Sequence, residues 1–480
     1  MTEIWELSAT ETAAKIRSGE LSCREAVEAT VERMHKTNPV LNAVVDDLSE
    51  QALERASALD SQKADRGILH GVPLTTKVNI DFKGTANTNG VTAFKDVIAP
   101  AHAPVVENFE KSGAVVIGRT NTPEFSMRAT TENPLHGRTF NPWNDWATSG
   151  GSSGGSSSAV MGGMGAIAHG NDIAGSLRYI AGSLRYPAAA VGAATVKPGF
   201  GRTPAYNPSM TEERSILAQL MSVQGVICRD VEDVRLGMRS LVQYNAMDPW
   251  MAPLPFEQPK PDGPLTIGYT KYMPRHEMDV EVIKALDLAA DMLRDAGYVL
   301  EEVELPNFDE MIADAEGCFF GDLLTHMAPA VRELGSETVN KIFDDYFDYY
   351  DLFEGPALMK GIGRRSKHVR DYLLFLEKYP MVLTPFMPVQ TQAWDRDAQS
   401  REGMIDLLGS AVYVYSMNFL GLPAGNIGAH FANGMPVSVQ IIGKRFREDL
   451  ILDACEAIEQ RAGRMYDRLK ADPNSLIAGL

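Results

Sequence analysis

One lysine lies in an otherwise apolar and small-residue run, "HGVPLTTKVNIDF", at position 77. Two readings fit it. It is either an edge-strand lysine whose ammonium snorkels to water, or a desolvated lysine whose lowered pKa leaves a neutral amine able to take a proton. Further along, "TSGGSSGGSSSAV" sets serines between glycines, and Ser152 and Ser153 each centre a G-x-S-x-G match. The nucleophile elbow of an α/β-hydrolase needs a strand directly before that pattern. The preceding "FNPWNDWATS" reads as a poor strand, so the match carries little alone. Composition by itself makes this tract a flexible linker. Small apolar residues nevertheless run on through "SSSAVMGGMGAIA", as expected of a tightly packed helix behind a loop.

A third candidate is "IAGSLRYIAGSLRYP", residues 173–187, in which one heptapeptide occurs twice and places serines at 176 and 183. Seven residues are close to two helical turns and rotate a helical face by only about 20°. In a strand, an odd insertion would turn every side chain to the opposite face. The surplus is therefore tolerable chiefly if it extends a helix or loops out. Two copies are too few for a coiled coil. Other chemistries find no support: the nine histidines are scattered, "RHEMD" lacks the second His of a zinc motif, and neither GxGxxG nor GK[ST] occurs.

The elements that must hold these residues read as α/β. Ser8 or Thr10 is placed to cap a first helix ending near Gly19, and Ser22 a second. From Ile68 the pattern turns to short β-like runs, "HGVPLTTKVNI" and "GAVVIGRTN", with a helical "APVVENFEKSG" between them. Residues 300–400 are aromatic and acidic, read as helical, and cover something apolar. Near the end, Asn433-Gly434 marks a turn into the strand "MPVSVQIIG", followed by the amphipathic helix "REDLILDACEAIEQRAG". Strand material near both ends favours a single sheet closed by distant segments.

Composition narrows the function. The 480 residues carry a net charge of −18 with dispersed acidic residues, which disfavours binding to nucleic acid or anionic lipid. The four cysteines, 23, 228, 318 and 455, show no ligand spacing and read as reduced thiols. The N-terminus lacks a signal-peptide core, and no apolar run reaches the roughly 18 residues of a membrane span. A cytoplasmic protein is expected.

Taken together, Lys77, "GGSSGG" at 150–155 and "GNDIAGSLR" at 170–178 resemble the amidase signature family of Ser–cis-Ser–Lys hydrolases. The resemblance extends through "GRTNTPEFSMRATTENPLHGRTFNPWN", "VGAATVKPGFGR" and "GLPAGNIGAHFANGMPVSVQIIGKRF". It implies an α/β fold: a single domain over 1–480 with a central mixed twisted β-sheet covered by helices on both faces. Within it, residues 1–65 supply N-terminal helices, 66–205 the catalytic segments, 300–400 a helical substrate-covering region, and 420–470 the strand and helix that close the sheet.

The resemblance also implies roles. Lys77 corresponds to the base, Ser152 to the proton-bridging serine after a cis peptide from Gly151, and Ser176 to the nucleophile. The main-chain N–H groups of Ile173, Ala174, Gly175 and Ser176 would form the oxyanion hole, where one lost donor typically costs about 2.7–4 kcal/mol. Met127 and Gly151 align with substrate-lining positions, although Met127 reads equally well as a core methionine. A serine hydroxyl needs a base within hydrogen-bond reach, and the Lys77–Ser152 relay would provide one. No metal and no organic cofactor are implied.

This chain departs from the family at the duplication. The family pattern continues from its nucleophile to Arg two positions on and Pro four positions on. Ser183 has both, Arg185 and Pro187, whereas Ser176 has Arg178 but then Ile180. Conversely, Asp172 stands four residues before Ser176, and Tyr179 before Ser183. The spacing to Ser152 and the Asp172–Gly175 turn favour Ser176, with Ser183 the alternative nucleophile. A third reading is a site impaired by the insertion.

The expected activity is hydrolysis of a small carboxylic amide, of aryl, aliphatic or cyclic-oligoamide type, to acid plus ammonia or amine. The expected partners are that small-molecule amide and a second copy of the chain as a homodimer, with no nucleic acid and no membrane. The alternatives are the A component of a glutamyl-tRNA amidotransferase, or a non-catalytic amide-binding protein.

Overall fold

The computed structural model describes residues 3–62, 66–172 and 182–480. Thirteen strands occur among them: β1 (Val44–Asp47), β2 (Pro73–Lys77), β3 (Val115–Thr120), β4 (Phe140–Asn141), β5 (Asn144–Thr148), β6 (Ile167–Asp172) and β7 (Ala194–Lys197). They continue with β8 (Val223–Cys228), β9 (Thr266–Tyr269), β10 (Val299–Glu302), β11 (Met381–Pro385), β12 (Ala424–Ala432) and β13 (Met435–Gly443). Eleven form one mixed sheet in the order β1-β3-β2-β6-β8-β7-β12-β13-β11-β9-β10. The strands β2, β3, β6 and β8 are buried along their whole length, which is why they read as continuous apolar or small runs rather than alternating ones.

Local signals set the helix ends. Ser8 accepts the Glu11 N–H at 3.0 Å to begin α1 (Ala9–Ser18), which stops at Gly19 in a left-handed conformation. Ser22 and Glu25 form a reciprocal capping box on α2 (Cys23–Leu41). Next come α3 (Ser49–Asp60), α4 (Pro104–Lys111), α5 (Gly154–Met161) and α6 (Arg185–Val191).

Helices cover both faces of the sheet. The helices Val231–Leu241, Val280–Asp295 and Glu448–Ala462 bury their apolar stripes with Ile267, Val439 and Ile441. The helices Phe308–His326, Glu337–Tyr349 and Val412–Leu420 gather an aromatic cluster with Phe386 and Ile442. This is the aromatic and acidic region anticipated as helical. A third cluster joins α2, α3 and α5 to Val115, Ile117 and Ile227.

Two local outcomes differ from the sequence reading. Lys77 is not on an edge: β2 lies between β3 and β6. The segment expected to be a poor strand contains β4 and β5, paired in a separate two-stranded hairpin. Asparagine side chains make that hairpin viable, Asn141 accepting the Trp143 N–H and Asn144 the Ala147 N–H. The hairpin lies apart from the main sheet, so no strand of that sheet runs straight into the Gly/Ser loop.

Candidate active site

The strands β2 and β6 are parallel neighbours, with Leu74 opposite Ile167. Their carboxyl ends therefore lie at one edge, the side of an open α/β sheet where ligands bind. Lys77 is the last residue of β2, and Asn171 and Asp172 are the last of β6. Lys77 is fully buried. Its Nζ donates to Ser152 Oγ at 2.6 Å, Asn171 Oδ1 at 3.0 Å and Ser153 Oγ at 3.2 Å.

The loop that brings the two serines to Lys77 joins β5 to α5, and its Gly151–Ser152 peptide bond is cis. Glycine is required at 151, because a Cβ there would collide with the main chain of Arg128 and lie 2.7 Å from the Ala129 carbonyl carbon. The Ser152 carbonyl accepts from Thr122 Oγ1 at 3.0 Å. The small residues "GGSSSAVM" of α5 are all buried, so the tract is a packed helix start and not a linker.

A relay of amides leads away from Lys77. Asn171 Nδ2 donates to Asn79 Oδ1 at 2.9 Å, and Asn79 Nδ2 donates to Ser126 Oγ at 2.9 Å. Ser126 Oγ donates in turn to Asn89 Oδ1 at 2.7 Å. Asn89 borders a cavity of about 340 Å³, lined also by Phe94, Met210, Arg214 and His326.

On the other side, the Asp172 carboxylate is fully buried. It accepts the Gly182 N–H at 2.5 Å, Asn418 Nδ2 at 2.9 Å, Arg185 Nε at 3.3 Å and the Leu184 N–H at 3.5 Å. Arg185, also fully buried, donates onward to Gln440 Oε1 at 2.7 Å, the Val414 carbonyl at 2.8 Å and Asn418 Oδ1 at 2.6 Å. Burial holds the Arg185 guanidinium below its usual pKa, and the Asp172 charge opposes that shift. Nearby, burial brings the Lys197 amine down to about 7, with the Arg185 charge acting in the same direction. Further out, burial works against the charge of Arg128, but Asp397 and Asp395 more than offset it and push its pKa up.

Of the residues singled out from sequence, Lys77 and Ser152 meet directly and Gly151 immediately precedes the bridge. Met127 is buried in the aromatic cluster, and its carbonyl accepts from Tyr346 Oη at 3.1 Å. Ser183 is buried, and its carbonyl accepts the Ser153 N–H at 3.1 Å. Ile173, Ala174, Gly175 and Ser176 lie outside the described residues. Asn79, Asn418 and Gln440 had no assigned role in the sequence reading, where Asp172 served only to open the turn before Ser176. Asn79 had a usable signal, standing two positions after Lys77, the spacing that returns an extended chain to one face. Among the described residues, no group of three or more His, Cys, Asp or Glu could hold a metal ion. No described helix is long and apolar enough to cross a membrane.

The chain is similar to known amidases. The amidase family model matches residues 25–452. An indoleacetamide hydrolase of Bradyrhizobium diazoefficiens is 44% identical over 470 residues, covering 97% of this chain and 88% of that one. The A component of the glutamyl-tRNA(Gln) amidotransferase of Heliobacterium modesticaldum is 30% identical, covering 92% and 94%. The fold is shared with a substrate complex of 6-aminohexanoate cyclic dimer hydrolase, at a TM-score of 0.82 and 24% identity over 99% of this chain and 100% of that one. A bacterial aryl acylamidase of the amidase signature enzymes has the same TM-score and identity, covering 99% of each chain. The mixed eleven-stranded sheet, the family match across nearly the whole chain and the hydrolase relative agree: this chain belongs to the amidase family and is an amide hydrolase.

Proposed function

We infer that the enzyme hydrolyses a small primary amide with a flat aromatic acyl group, of the indoleacetamide kind, through an acyl-serine intermediate. The observation that carries the mechanism is the 2.6 Å contact between Lys77 Nζ and Ser152 Oγ inside a buried site. A neutral Lys77 accepts the Ser152 proton while Ser152 accepts that of a nucleophilic serine from the duplicated heptapeptide. The serine oxygen bonds to the amide carbon, the C–N bond breaks, and the same proton returns through Ser152 to the departing nitrogen. Water then hydrolyses the ester and restores the serine. By family resemblance the oxyanion donors are the main-chain N–H groups that lead up to and include the nucleophilic serine.

The substrate class rests on the 44% identical hydrolase and on the cavity bordered by Asn89 and Phe94, whose size suits a small molecule. The amidotransferase reading is weaker, because its named representative is the more distant at 30% identity. We further infer a homodimer in the cytoplasm, built as one domain whose residues 300–400 cover the substrate. Its four cysteines are free and buried.

The test is ammonia release from indole-3-acetamide, benzamide and acetamide, together with ring opening of the 6-aminohexanoate cyclic dimer followed by chromatography, with Lys77→Ala as control. Preference for the arylacetamide, lost in Lys77→Ala, is expected. Release that survives in Lys77→Ala overturns the mechanism, and equal turnover of acetamide overturns the substrate class.

A further inference from the structure

We propose that Ser183, in the second copy of the heptapeptide, is the nucleophile of this enzyme. The proposal deepens the acyl-serine reading above and rests on it. The two copies are identical in sequence, so only their surroundings distinguish them, and the structure gives those of the second.

Two residues of the second copy's segment, Ser183 and Pro187, contact the Gly/Ser loop that carries Ser152. The Ser183 carbonyl accepts the Ser153 N–H, one residue beyond the bridging Ser152. Pro187 packs on Gly150, where a Cβ would lie 2.5 Å from the proline Cα. The segment is thus held against the Gly/Ser loop on both sides of Ser152. Leu184 is fully buried, wedged over Gly170 of β6 and Gly225 of β8. Gly182 has a φ of +87°, and a Cβ there would collide with Val414; the position accepts only glycine.

The decisive point is occupancy. Asp172 has one carboxylate, and the amides of Gly182 and Leu184 and the Arg185 guanidinium already hold it. The pocket formed by Gln440, Val414 and Asn418 admits one guanidinium, and Arg185 fills it. Gly175, Leu177 and Arg178 of the first copy are the same residue types seven positions earlier. Among the described residues, these partners belong to the second copy. The downstream half of the family pattern, Arg then Pro, thereby stays with the serine it follows. The upstream Asp172 is shared across the insertion through space rather than along the chain.

In the reaction, the Ser183 Oγ–H bond breaks as Oγ bonds to the amide carbon. Its proton passes to Ser152 as the Ser152 proton passes to Lys77, and it returns to the leaving nitrogen when the C–N bond breaks. Deletion cannot test this, since removing either copy leaves the same sequence. Trypsin can, because it cleaves after Arg178 and Arg185 and so separates the two serines. Peptide 139–178 then contains Ser176 and Ser152, and peptide 179–185 contains Ser183.

The intact chain is treated with a fluorophosphonate, which phosphonylates active serines with loss of fluoride, then digested and mapped by mass spectrometry. The adduct is expected on 179–185, and Ser183→Ala is expected to lose both the label and kcat/KM, the latter by on the order of 10⁴-fold or more. An adduct on 139–178 in a chain that releases ammonia overturns the assignment to Ser183 and leaves the amidase reading intact. A chain that neither takes the label nor releases ammonia overturns both.

Discussion

Replacing Asp172 by asparagine is the perturbation that most directly probes how the site is held. The carboxylate and the Arg185 guanidinium are both fully buried, so no solvent screens the loss of the charge. The change leaves Arg185 as a buried cation with neutral acceptors only: Gln440, the Val414 carbonyl and Asn418. It also sets an amide NH₂ against donors whichever way the side chain turns: the Gly182 N–H and Asn418 Nδ2 on one side, or the Leu184 N–H and Arg185 Nε on the other. Removing one partner of a buried ion pair costs about 3–5 kcal/mol. Because three acceptors on Arg185 survive, the lower end, about 3 kcal/mol, is expected. The assay is urea unfolding followed by tryptophan fluorescence and far-ultraviolet circular dichroism. Arg185→Met in the same background should recover part of the loss, giving a coupling of about 2 kcal/mol in a double-mutant cycle. If Asp172→Asn lies within about 1 kcal/mol of the parent, or if the two changes are additive, the ion pair does not hold the segment.

Three other outcomes follow from the same geometry. Asn171→Ala removes an acceptor from Lys77 and a partner from Asn79; kcat/KM should fall roughly 10–100-fold. A variant that keeps kcat/KM within about twofold of the parent refutes this. Gly151→Ala forces a methyl into the main chain of Arg128 and Ala129, so activity should vanish at a stability cost of about 1–3 kcal/mol; a fully active variant counts against the close approach. The Lys197 amine titrates near 7 when folded, against an ordinary 10.5, so between those values the unfolded chain binds the extra proton. Stability therefore rises with pH across that window, by about 1.4 kcal/mol per unit at most, and falls as pH drops towards 7. Lys197→Met should flatten that slope and stabilise the protein at pH 6, as read by urea midpoints at several pH values.

Much of this site was legible because its chemistry lies in contiguous segments. Lys77 betrayed itself as a lysine in a strand with no polar face, and its burial at the end of β2 bears out the desolvated environment rather than the snorkelling one. The caps at Ser8 and Ser22 and the turn at Asn433-Gly434 are local signals, and local signals survive folding. The Arg185 pocket was not legible: Val414, Asn418 and Gln440 come from strands and helices more than 220 residues away, and no spacing rule reaches across that distance. Asn171 lies inside the quoted "GNDIAGSLR" without a role of its own there, and that role emerged only when the parallel pairing of β2 and β6 set it beside Lys77. The hairpin Phe140–Thr148 was missed because its asparagines are poor strand formers that here cap their own turn.

The order of the sheet has a consequence for how the chain is made. The strand β7 is complete at Lys197, yet its outer neighbour β12 begins at Ala424. At translation rates of about 5–20 residues per second, the interval is on the order of ten to fifty seconds. For that time the first half-sheet, with Lys77 and the glycine loop already synthesised, presents a bare row of amides and carbonyls to its surroundings. A nascent chain of this protein is therefore a client for holding factors on the ribosome. Messages truncated before β12 should yield aggregates rather than a smaller enzyme.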